Sequence, residues 1–77
     1  MYAAFMTDSL LPRLKTLRME LGMTQTQLAE SIGAVKRTVI RWEMGDNSPT
    51  LKDLIGIAKL FDVSVAYLIG ETEQRKF

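Results

Sequence analysis

Apolar side chains recur along this chain at intervals of three and four, glycines interrupt the pattern, and no stretch shows the two-residue alternation of a strand. Five helices are therefore predicted. The first is expected to open from a cap at Asp8 or Ser9, to tolerate Pro12 in its first turn, to carry the stripe Leu10, Leu14, Leu17 and Leu21, and to stop at Gly22. Thr24 caps the second helix, with Gln27 at the capping-box position and Met23 placed to staple against Leu28. Leu28, Ala29 and Ile32 form its buried side, and Gly33 supplies the left-handed residue that ends it.

In the third helix Val35, Val39 and Trp42 recur at helical spacing and are expected to face the core. Lys36, Arg37, Ile40, Arg41 and Met44 fall on the opposite side, and Gly45 closes the helix. Asp46, Asn47, Ser48 and Pro49 read as a loop. Thr50, with Asp53 three residues on, begins a fourth helix carrying Leu51, Leu54, Ile55, Ala58 and Phe61 inward. Ser64 caps a short fifth helix, stapled by Val63 to Leu68 and stopped by Gly70. The domain reading is a flexible arm over residues 1–8, one helical domain over 9–70, and a polar tail over 71–77 that is expected to fray.

A chain of 77 residues supports a single core. With no cysteine it has no disulfide, and with no histidine either it lacks the usual ligands of zinc and transition-metal sites, so no metal or cofactor is expected. The lack of cysteine fits a reducing, cytoplasmic setting. The apolar opening, residues 1–6, has no basic flank and is too short for a signal sequence. No later run approaches the ~20 apolar residues of a membrane span, so no membrane partner is expected. Catalysis is disfavoured by the missing histidine and cysteine and by the absence of a glycine-rich phosphate loop.

The net charge of +1 points to no partner class, but its distribution is uneven. Residues 33–45 carry Lys36, Arg37 and Arg41 against Glu43 alone, whereas the flanking segments are balanced or slightly acidic. That local excess lies on the second of two short helices joined at a glycine, the arrangement of a helix-turn-helix, whose second helix lies in the DNA major groove. Small Ala29 lets the two helices approach, Gly33 permits the turn, and Val39 and Trp42 hold the second helix against the first. Lys36, Arg37 and Arg41 are thus candidates to meet base edges, with arginine able to pair with guanine through two hydrogen bonds. Gln25 stands at a helix start, where free backbone amides favour a phosphate, and Thr24 serves the cap with any phosphate contact secondary. Trp42 is read as core and not as a stacking platform, because its spacing from Val35 and Val39 turns it inward.

Gln25, Leu28, Ala29, Gly33, Val39, Arg41, Trp42, Glu43, Gly45 and Pro49 stand where they do in the phage repressor, Cro and xenobiotic-response-element (XRE) regulator family. The segment GMTQTQLAESIGAVKRTVIRWEMGDNSPT resembles that family's signature, and LKDLIGIAKLFDVSVAYLIG resembles its last two helices. The resemblance runs from about Leu14 to Gly70. It implies an all-α, five-helix lambda-repressor-like domain that binds a double-stranded DNA operator, usually palindromic, as a homodimer, and acts as a repressor or Cro-like transcriptional regulator.

It also implies a structural pair between Arg18 and Glu43, and Thr24, Gln25, Thr38 and Met44 are the candidates for phosphate contact and positioning. Two positions depart from the family: Val35 where a serine or threonine usually caps the third helix, and Met44 where a phosphate-touching asparagine is common. Ile40 is apolar where the family often has a polar residue, and is a candidate for contact with a thymine methyl group. For dimerisation the fifth helix offers Tyr67 and Ile69, helped by Phe77, with residues 1–5 as the alternative contact. The same fold also serves antitoxins, whose partner is a toxin, and restriction-modification controller proteins, and fold alone does not separate these.

Overall fold

A computed structural model describes residues 11–76, and these form five α-helices in the order α1 Leu14–Glu20, α2 Gln25–Ile32, α3 Lys36–Met44, α4 Leu51–Phe61 and α5 Val65–Leu68. The best-specified starts are those of α2 and α4. At each, a threonine hydroxyl accepts from the backbone amide three residues on, and that residue's side chain accepts from the threonine amide, at Thr24 with Gln27 and at Thr50 with Asp53. Two of the four orphan amides of each helix are satisfied in this way. The ends of α2 and α3 fall at Gly33 and Gly45, whose φ angles of 72° and 82° are left-handed and cost a glycine nothing.

Among the described residues twelve apolar side chains form one core, drawn from all five helices: Leu14 and Leu17, Leu28 and Ala29, Val39 and Trp42, Ile57 and Ala58, Tyr67 and Leu68, closed by Leu11 and Val63. The core thus links every helix, and α3 is fixed by its inward residues while its other side stays available.

Several expectations are corrected. Asp8, Ser9 and Leu10 lie outside the described residues. Arg13 occupies the N-cap of α1 without a side-chain cap bond, and Pro12 lies in the turn before it. Leu21 is exposed at the C-cap of α1, past the turn that meets the core. Val35 does not face the core: it is 64% exposed and is itself the N-cap of α3, in extended conformation, with no side-chain oxygen to offer the helix amides. In α4 the buried stripe runs through Ile57 and Ala58, flanked by Leu54 and Phe61. Ile55 falls beside that stripe and Leu51 precedes the part of the helix that has partners, so both are exposed. The tail, as far as Lys76, is tied down. The Ser64 amide donates to the Arg75 carbonyl at 2.6 Å, Arg75 clamps Glu20, Lys76 meets Asp62, and Arg13 donates to the Thr72 carbonyl. Tyr67 is core, 8% exposed, with the Arg13 guanidinium 4.1 Å above its ring, so it is no surface for another copy; Ile69 is half-buried.

Candidate functional site

The turn between α2 and α3 is built from Gly33, and the Ala34 amide donates back to the Ala29 carbonyl at 2.8 Å. Ala29 is buried at this junction, and Val39 and Trp42 bury the inner side of α3. Because these positions recur at helical spacing, the other side of α3 is forced outward. Lys36, Arg37, Arg41 and Met44 are exposed there, while Thr38 and Ile40 are half-buried, so Ile40 is less open than its spacing suggested.

Ion pairing divides the basic residues into two groups. Arg13 pairs with Glu73, Arg18 with Glu43, Arg75 with Glu20 and Lys76 with Asp62. Lys15, Lys36, Arg37, Arg41, Lys52 and Lys59 make no ion pair among the described residues, and three of these cations, Lys36, Arg37 and Arg41, stand together on α3. Glu43, the one carboxylate of α3, is instead engaged by Arg18 and Gln25, with a side chain only 6% exposed. The outer side of α3 therefore carries uncompensated positive charge on a rigid element. Such charge attracts a polyanion and, with arginine, allows paired hydrogen bonds to base or phosphate.

Glu43 gathers three elements. Arg18 of α1 donates to it from Nε at 2.7 Å and from Nη2 at 3.2 Å, and Gln25, the first residue of α2, donates from Nε2 at 3.1 Å. Arg18 also donates to the Met23 carbonyl at 2.8 Å. The contact of Gln25 with Glu43 has no sequence signal, since the two stand eighteen positions apart and neither type demands the other. Thr24 is exposed beside it, its hydroxyl held in the capping box. Thr24 and Gln25 thus lie at the start of α2, with Gln25 in reach of Glu43, and Met44 is the last residue of α3. Among the described residues no helix is long and apolar enough to cross a membrane.

The sequence matches the model of the helix-turn-helix family over residues 14–68, which span all five helices. It is 41% identical over 61 residues to the uncharacterized HTH-type transcriptional regulator YobD of Bacillus subtilis, over 79% of this chain and 54% of that protein. It is 33% identical over 61 residues to the cryptic phage CTXphi transcriptional repressor RstR of Vibrio cholerae, over 79% of this chain and 55% of that protein. The chain spans about half the length of the curated relatives it matches. Among solved structures it is similar to the SOS-response transcriptional repressor LexA from Eubacterium rectale, with a TM-score of 0.77 at 22% identity over 88% of this chain and 73% of that one. That likeness concerns the fold.

Proposed function

The chain belongs to the helix-turn-helix family of XRE and phage-repressor type, a family of transcriptional regulators, and from that premise we propose that it binds a palindromic operator in double-stranded DNA as a homodimer and represses transcription there. The observation that carries the reading is the row of unpaired cations, Lys36, Arg37 and Arg41, on the outer side of an α3 whose inner side is locked in the core. On this reading Arg37 and Lys36 meet base edges, and Arg41 meets bases or backbone. Ile40 offers its exposed part to a thymine methyl, and Thr24, Gln25, Thr38 and Met44 border the phosphates. Two copies are invoked because one helix in one groove covers too few base pairs to select a genomic site against the excess of competing sequence. The two recognition helices then enter successive major grooves, with inverted half-sites centred roughly 34 to 36 Å apart.

The test is selection of bound sequences from random duplex DNA, followed by Arg37→Ala on the selected site. Loss of one good bidentate contact should weaken cognate binding by ~1–3 kcal/mol and relax preference at a single base position. Undiminished binding by Arg37→Ala would remove that residue from the base contacts, and a selected site without inverted symmetry, holding one chain per duplex, would remove the dimer.

A further inference from the structure

Lys15 belongs to α1, outside the helix-turn-helix, yet the fold brings it to the edge of that unit. It stands three residues before Arg18 and so shares a face with it. That face looks across at the other two helices, because Arg18 reaches both the Met23 carbonyl before α2 and Glu43 on α3. A hollow of about 430 Å³ opens there, bordered by Lys15, by Thr24, Gln25 and Thr26 at the start of α2, and by Lys36 at the start of α3. Arg18 also borders it, but its charge is already matched by Glu43, which is not part of the lining.

Neither Lys15 nor Lys36 has an ion pair or a side-chain hydrogen bond among the described residues, and none of the described residues bordering the hollow is a carboxylate. Two ammonium groups on different helices thus face one polar hollow without a counter-ion, an arrangement that an anion between them relieves. Lys36 opens the helix proposed to enter the groove, so an anion held in this hollow lies at the groove's edge, where the strand's phosphates run. Resting on the operator-binding reading, we propose that Lys15 binds a backbone phosphate of the duplex and extends the DNA contact from α2 and α3 onto α1. Its contribution is positional and independent of base sequence.

The experiment measures binding of the full chain to its selected operator and to an unrelated duplex over a range of salt concentrations, for the parent, Lys15→Gln and Lys15→Arg. Lys15→Gln should weaken both duplexes by the same factor and make the slope of log K against log salt shallower by about 0.9, the share of one phosphate. Lys15→Arg should restore the slope, and the melting temperature should stay at the parent's value because the side chain is exposed and unpaired. An unchanged slope in Lys15→Gln, with Arg37→Ala still losing operator preference, overturns this inference and leaves the operator reading standing. A parent that selects no sequence overturns the operator reading, while the slope test on the unrelated duplex still decides the role of Lys15. If inorganic phosphate at constant ionic strength raises the melting temperature of the parent but not of Lys15→Gln, and the duplex slope is unchanged, the hollow holds a free anion and the DNA assignment falls.

Discussion

Arg18 and Arg75 each hold a glutamate at 2.7 Å, one pair bracing α1 against α3 and the other fastening the tail to the end of α1. Chemistry and distance are the same, but surroundings are not: the side chains of Arg18 and Glu43 are 11% and 6% exposed, those of Arg75 and Glu20 49% and 43%. Removing one partner of a buried pair leaves a charge that water cannot reach, whereas a freed charge at the surface is simply solvated. The inner pair is also shared, since Gln25 and the Met23 carbonyl complete it, and three helices lose their common anchor if it goes. Distance alone therefore does not rank ion pairs; burial and the number of elements joined do.

Glu43→Gln tests the inner pair most directly. It should destabilise the fold by roughly 3 kcal/mol, the lower end for a broken buried pair because glutamine keeps an acceptor for Arg18. At roughly 4 to 8 °C per kcal/mol for a domain of this size, the melting temperature should drop by more than ~10 °C. The double change Arg18→Met with Glu43→Leu should recover much of that loss, since neither charge is then left buried. A Glu43→Gln variant that melts within a few degrees of the parent would place the inner pair in the same class as the outer one.

An intermediate effect is expected at Arg13, which belongs to the tail side of the comparison but is itself largely buried. Its guanidinium donates to the Tyr67 carbonyl at 2.9 Å and to the Thr72 carbonyl, and covers the Tyr67 ring. Arg13→Ala should cost about 1–2 kcal/mol, combining lost charged hydrogen bonds with a lost cation–π contact. It should also speed hydrogen exchange at the Ser64 amide, whose acceptor is the Arg75 carbonyl. Lysine at this position should not restore protection, because Nη1 of Arg13 serves both carbonyls while Nη2 meets Glu73 and the flat guanidinium covers the Tyr67 ring, a combination that a single ammonium does not reproduce. Unaltered exchange at Ser64 would show that the tail is held without Arg13.

This division also marks what the sequence made legible. The helix-turn-helix could be read because each position obeys a local rule: a threonine cap with glutamine three residues on, a glycine at the turn, Val39 and Trp42 one helical turn apart. Val35 was misplaced because helical spacing continues past a helix end and does not show where the cap falls. Ile57 was passed over because Ile55 and Leu51 extend an equally apolar pattern, and only packing selects the buried phase. The fastened tail and the Gln25 contact escaped for another reason, since both depend on residues far apart in sequence whose meeting is set by the fold. The cationic face of α3 was visible as a local charge excess, whereas Lys15 was hidden inside a balanced segment until α1 was placed beside α2.

The smallest effect is expected at Glu20, and its pH dependence has a definite sign. The hydrogen bond from Arg75 is the leading reason that the Glu20 carboxyl is held below its ordinary value, with the charge of Arg75 adding to it and partial desolvation opposing. A carboxyl lowered in the folded state favours folding at pH values above its unfolded value, about 4.3 for glutamate. That stabilisation fades as the pH falls through the lowered folded value, where folding no longer keeps the proton off. The parent should therefore lose a small increment of stability on acidification below about pH 4.3 that Glu20→Gln lacks, so the two melting curves should converge in acid and separate modestly at neutral pH. Salt near 1 M should shrink the neutral-pH gap, since an exposed pair is screened over a few ångströms there. A gap at neutral pH as large as that of Glu43→Gln, or one that survives high salt, would mean that the outer pair is sheltered from solvent and that the contrast between the two pairs does not hold.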